Sequence, residues 1–65
     1  MKQVVDKKVD LELVGVDGNA FNVVGVFRRQ ARKEGWEEAE IGKVTEEAMS
    51  GDYNHLLATI LLHTN

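Results

Sequence analysis

Cysteine is absent from these 65 residues, which removes both disulfides and thiolate metal sites, the staples that small secreted domains rely on. No apolar run approaches the roughly 20 residues that span a bilayer. Met1 is followed by Lys2 and Gln3 and then by a charged segment, so the signal-peptide apolar core is missing too. The expectation is a single domain over residues 1–65, soluble and intracellular. Aromatics make up 6% of the chain and none is interleaved with the basic residues, which argues against a nucleic-acid stacking platform. The net charge of −3 points the same way. Motifs for the common chemistries are missing as well: there is no Walker loop, no GxSxG and no HExxH. Sixty-five residues sit at the small end of what folds alone. Burial and chain entropy nearly cancel at this size, and self-association is the remaining way to hide more apolar surface.

What is present begins with an alternating segment. Val9, Leu11 and Leu13 alternate with Asp10 and Glu12 in the period-2 pattern of a half-buried strand over Lys7 to Val16. Gln3-Val4-Val5 either extends this strand or pairs with it, while Asp6-Lys7-Lys8 lacks the glycine or asparagine of a tight hairpin. A strand with no partner in its own chain leaves backbone groups unpaired, so the same strand of a second copy is the economical partner. The rhythm changes at Val14-Gly15-Val16-Asp17-Gly18-Asn19-Ala20-Phe21-Asn22. Asp17-Gly18 is a turn signal, and Asn19 or Asp17 can cap the helix that follows.

Three helices are expected after the turn. The first runs from Ala20 to about Glu34, with Ala20, Val23, Val24, Phe27 and Ala31 on one face and Gly35 as the stop. Phe21, Gly25 and Val26 lie off that face, and an interior glycine costs about 1 kcal/mol relative to alanine. Close approach of another backbone at Gly25 would explain it. The second helix opens near Trp36-Glu37-Glu38 and closes at Gly51, with a narrow stripe of Ile41, Val44 and Ala48. Asp52 caps the third, whose apolar face is Tyr53, Leu56, Leu57, Ile60 and Leu61. The fold class expected is therefore α+β, one strand followed by three short helices, β-α-α-α, with the strand paired across a homodimer.

Few residues carry chemistry. His55 and His63 stand eight apart, roughly 80° around a helix, and are better explained as a cap-region histidine and a surface one than as metal ligands. No metal and no cofactor is expected. Ser50 has no evident base beside it, so catalysis is not expected either. Two features remain open to binding. The turn Asp17, Gly18 and Asn19, with Phe21, could hold an anion on free helix amides, although Asp17 opposes this. Arg28, Arg29, Arg32 and Lys33 gather opposite the core stripe and could meet an acidic protein, a nucleotide or nucleic acid, or could be a solvated face balanced by Glu34, Glu37 and Glu38.

Two blocks carry a resemblance. Leu13-Val14-Gly15-Val16-Asp17-Gly18-Asn19-Ala20-Phe21, with Gly35-Trp36, and then Glu47-Ala48-Met49-Ser50-Gly51-Asp52-Tyr53-Asn54-His55-Leu56-Leu57 resemble a group of very small proteins encoded in bacteriophages, prophages and mobile elements. The likeness covers about Leu11 to Leu62. It brings no activity and no functional residue, but it implies a setting, because small phage accessory proteins often act by binding. Three functions are consistent with the sequence. The first is a non-enzymatic protein that inhibits or redirects a host factor, such as a defence system. The second is an oligomeric sponge for a nucleotide-like anion held between the Asp17–Asn19 turn and Arg28 or Arg32. The third is a small nucleic-acid-associated regulator.

Overall fold

The computed structural model describes residues 3–12 and 19–65. It contains three helices: α1 (Ala20–Lys33), α2 (Glu38–Ala48) and α3 (Tyr53–Leu62), each packed against the other two. Asn19 caps α1 by accepting a hydrogen bond from the Phe21 amide at 2.8 Å. At its other end Gly35 takes φ 87°, a left-handed conformation that glycine adopts without a Cβ penalty. The Gly35 amide then donates to the Arg32 carbonyl and the Trp36 amide to the Ala31 carbonyl, the two reversed bonds of a Schellman ending. Glu37 precedes α2 and donates its amide to the Glu40 carboxylate at 2.9 Å. Asp52 caps α3 by accepting from the His55 amide.

The helices enclose a core of Val23, Val24, Phe27, Ala31, Ile41, Val44, Ala48, Leu56 and Ile60. Trp36, in the link between α1 and α2, sets its ring edge-to-face with Phe27 at a centroid distance of 5.6 Å. The sequence periodicity identifies these positions well, with two corrections on α3. Tyr53 and Leu61 stand exposed, and the polar Thr59 is buried in their place, its hydroxyl donating to the His55 carbonyl.

The larger correction concerns the fold class. Among the described residues there is no strand, so the architecture is mainly helical and not α+β with an N-terminal strand. Of the segment expected as that strand, Lys7 to Glu12 is irregular apart from one bridge, and Leu13 to Val16 lie outside the described residues. The bridge joins Val9 to Thr64 in parallel: the Val9 amide donates to the His63 carbonyl at 2.8 Å, and the Asn65 amide donates to the Val9 carbonyl at 2.9 Å. The alternation recorded burial without recording a ladder. Val9 is fully buried and Leu11 packs partly against the core, because the segment lies extended across the helices. Its backbone donors are taken singly. Val4 and Val5 donate to His63 Nε2, at 3.1 and 3.3 Å, and Asp10 donates to a Glu34 carboxylate oxygen at 2.8 Å. Strand pairing across a homodimer would first have to break these bonds, so the reason for invoking it is gone.

His63 is the centre of this arrangement, and it is fully buried where the sequence suggested a surface position. Its Nδ1 meets the Thr59 carbonyl at 2.8 Å, while Nε2 faces the two valine amides. An N–H on Nδ1 and a lone pair on Nε2 satisfy all three contacts, and that tautomer is assigned from them. Outside the core, Lys7 Nζ pairs with Glu40 at 2.8 Å and lies 5.9 Å from the Trp36 ring centroid.

Two predictions concern this docking of the chain ends. His63→Leu keeps the ring's place apolar but strands the buried Val5 amide, at a cost of about 1–3 kcal/mol. Urea denaturation should show that loss, and amide exchange at Val5 and Val9 should quicken more than exchange in α2. The second prediction is a dependence on acid. Hydrogen bonding by Gln30 and then by the Asp10 amide holds the Glu34 carboxyl below its ordinary value. Lys7 and then the Glu37 amide do the same for Glu40, and Arg32 does so for Glu38. Lowered folded values mean stability that is present above the ordinary glutamate range of about 4.3 and is lost as pH falls through them. Thermal melts across the acid range should therefore decline less steeply in a Glu34→Gln, Glu38→Gln, Glu40→Gln triple variant than in the wild type.

Candidate functional site

The outward side of α1 carries most of the residues singled out by the sequence. Phe21, Gly25, Arg28 and Arg32 follow one another at helical spacing beside the buried stripe, and Arg29 and Lys33 continue the face further round. Gly25, Arg28, Arg29 and Arg32 line an open concavity of about 280 Å³. Arg32 is not free within it. It forms a two-pronged ion pair with Glu38, Nε to Oε2 at 2.9 Å and Nη2 to Oε1 at 3.0 Å, which also holds its guanidinium more firmly protonated. Among the described residues Arg28, Arg29 and Lys33 form no ion pair. Among the described residues the acidic neighbours expected from the sequence thus form a direct ion pair with one of the four cations, while Arg28 and Lys33 act on Glu38 and Glu34 only through their nearby charge.

A second concavity adjoins the first. Phe21, Val24, Gly25 and Arg28 from α1 face Thr45, Glu46 and Met49, from α2 and its end, across a groove of about 370 Å³. Phe21 is 76% exposed and Met49 52%, so two large apolar side chains stand in solvent on its edges. The close backbone approach expected at Gly25 does not occur within the chain, because a Cβ built there meets nothing within 4 Å. Glu46 and Met49 were not among the sequence candidates, since nothing in the spacing of α2 says which residue of α1 it will face.

The turn candidates fare differently. Asp17 and Gly18 lie outside the described residues. Asn19 spends its side-chain oxygen on the Phe21 amide, one of the donors that an anion at this helix end would need.

One constellation escaped the sequence reading. Ser50, with no evident base beside it in the sequence, and His55, expected as a cap-region histidine, converge with Glu47 at the joint between α2 and α3. His55 Nε2 lies 2.8 Å from Glu47 Oε2, 2.9 Å from the Glu47 carbonyl and 3.4 Å from Ser50 Oγ. The residue types match a nucleophile, a base and a carboxylate, but the geometry does not. A base must offer one ring nitrogen to the serine while the carboxylate holds the other, and here all the partners crowd a single nitrogen. Ser50 Oγ donates to the Glu47 carbonyl at 2.6 Å, which makes the group a clasp on the C-terminal turn of α2. Gly51 leaves room for it, since a Cβ at Gly51 would sit 2.9 Å from His55 Cγ and Cδ2. Among the described residues no three His, Cys, Asp or Glu side chains are grouped to hold a metal, and no helix is long and apolar enough to cross a membrane.

Comparison of the chain with family models, with curated proteins and with solved structures gives no match.

The clasp generates a prediction. Gly51→Ala should destabilise the fold by about 0.5–3 kcal/mol, because backbone and the near part of the His55 side chain must both shift. In a double-mutant cycle with His55→Ala, much of that cost should disappear, since the crowded ring atoms are gone. Additive effects in denaturant titrations would mean that the clash is not with His55.

Proposed function

We propose that this chain is a non-enzymatic binding protein that holds an acidic partner on the cationic outer face of α1, and that the partner is a host protein which it inhibits or redirects, in the cytoplasm of a bacterial host. One observation carries the reading. Arg28 and Arg29 line an open concavity with no ion pair among the described residues, and Lys33 extends the face, in a chain whose net charge is −3. Concentrating unpaired cations on one face of an otherwise acidic protein produces a local field that draws in opposite charge and repels it elsewhere. Arginine suits the role, because its planar guanidinium grips a carboxylate at two points and gives up little hydration. The Ser50, His55 and Glu47 set supports the non-catalytic side of the proposal, because its hydrogen bonds are spent on joining two helices.

Arg32 also holds Glu38, so reversing it would mix folding with binding. Arg29→Glu with Lys33→Glu is the cleaner variant. Both side chains are exposed and unpaired among the described residues, so stability should change by no more than about 0.5 kcal/mol. A host protein captured by the wild type should be lost by the double reversal, and its capture by the wild type should weaken as salt rises. Capture that survives both changes would move the working surface away from α1. Thermal stabilisation by adenine or cyclic nucleotides, abolished by the same reversal, would assign the face to a small anion instead.

A further inference from the structure

We infer that the groove between α1 and α2 seats a second copy of this chain, joined about a two-fold axis that passes beside Gly25. The groove differs from the cation cluster in being bipolar. Its α1 wall includes Arg28 and its α2 wall Glu46, and Phe21, Val24, Gly25 and Met49 line the same groove. Arg28 and Glu46 do not pair with each other within the chain. A two-fold interface uses the same patch on both copies, so each charge needs its opposite within that patch. This groove meets the condition: a rotated copy sets Arg28 of one chain against Glu46 of the other, twice over. An acidic peptide would satisfy Arg28 but leave Glu46 facing like charge, and a basic one would do the reverse. A second copy satisfies both.

The apolar residues support the same occupant. Phe21 and Met49 are 76% and 52% exposed, and large exposed apolar side chains bordering a groove are what an interface would hide. Thr45 donates its hydroxyl to the Ile41 and Gly42 carbonyls of its own helix, so on this wall Glu46 alone calls for a polar partner. Gly25 then acquires a reason. It sits on the outward face at helix mid-length with open space where a Cβ would be, and the absence of a side chain lets the partner's α1 come close. None of residues 3–12 lines this groove.

Sedimentation equilibrium of the full chain, from micromolar to millimolar concentration, tests the inference, with circular dichroism confirming that each variant is folded. The wild type should show a monomer–dimer equilibrium. Phe21→Ser, Gly25→Leu, Arg28→Glu and Glu46→Arg should each weaken it by at least about tenfold. The combined Arg28→Glu, Glu46→Arg variant should recover much of the lost association, because exchanging both charges restores the pairing across the axis. Leu61→Ser, on the exposed side of α3 and outside the groove, should leave association unchanged. A wild type that remains monomeric at millimolar concentration overturns the proposal. So does a dimer that tolerates Phe21→Ser and Gly25→Leu, or a charge exchange that fails to rescue. The Arg29 and Lys33 reversal leaves the groove untouched, so loss of partner capture and loss of dimer are separable results.

Discussion

The imidazole of His63 holds the two ends of the chain together, and the layout of the rest follows from that. Three short helices of 14, 11 and 10 residues bring their own internal backbone ladders, but the described segment 3–12 brings only a side-chain bond from Gln3 to the Val5 carbonyl. An extended segment lying over a core must place each inward amide on some acceptor. One ring does this for two consecutive amides, Val4 and Val5, while its other nitrogen is anchored on the Thr59 carbonyl. The residues just beyond α3 then complete the work by exchanging two backbone bonds with Val9. A histidine suits this position because one ring carries both a donor and an acceptor on opposite sides. Leucine offers neither, and glutamine offers both only at the end of a flexible arm.

That arrangement also explains what was legible beforehand. Helix α1 could be read almost to its ends, since its apolar stripe, its asparagine cap and the Gly35 stop are local signals. The Asp52 cap and the stripe of Ile41, Val44 and Ala48 were equally local. The misread element was the one whose partner is distant. Alternation at Val9 and Leu11 reports that one side of an extended segment is covered, and it is silent on whether a sheet or a helix layer covers it. The actual acceptors lie more than fifty residues away for Val4, Val5 and Val9, and no spacing rule links them. His63 was placed on the surface for the same reason, because a lone polar residue at a helix end has no local sign of burial. Of the candidate site, the cations on one face of α1 were readable from spacing. That only Arg32 among them forms an ion pair with a described residue was not, because it depends on Glu38 of the next helix.

Charge is distributed in a way that links packing to binding. Three glutamates are committed to joints: Glu34 to Gln30 and the Asp10 amide, Glu38 to Arg32, and Glu40 to Lys7 and the Glu37 amide. Glu34 and Glu40 tie the N-terminal segment to the helices and Glu38 ties α2 to α1, so acidic charge is drawn toward the seams of the fold. Exposed ion pairs of this kind contribute little individually to stability, and their effect is to fix orientation. The consequence for the surface is asymmetric. Cations left over from these pairings accumulate on the outer side of α1, while the chain as a whole remains acidic.

Gly25 sits where these two demands meet. Inside a 14-residue helix, glycine gives up about 1 kcal/mol of helix propensity relative to alanine, and nothing in its own fold requires the space. A core position would have justified it by close packing, but α1 turns its other side inward, and Val23, Val24, Phe27 and Ala31 occupy that side. Gly25 instead lies between the exposed Phe21 and the unpaired arginines, at the junction of both concavities. A bulky residue there would fill the groove floor and separate its apolar and charged ends. A small total stability makes the concession meaningful: domains of this size hold only about 0.05–0.15 kcal/mol per residue, so a loss near 1 kcal/mol is a sizeable fraction of the whole. A destabilising residue on an exposed helix face is most simply understood when the face is destined to be covered.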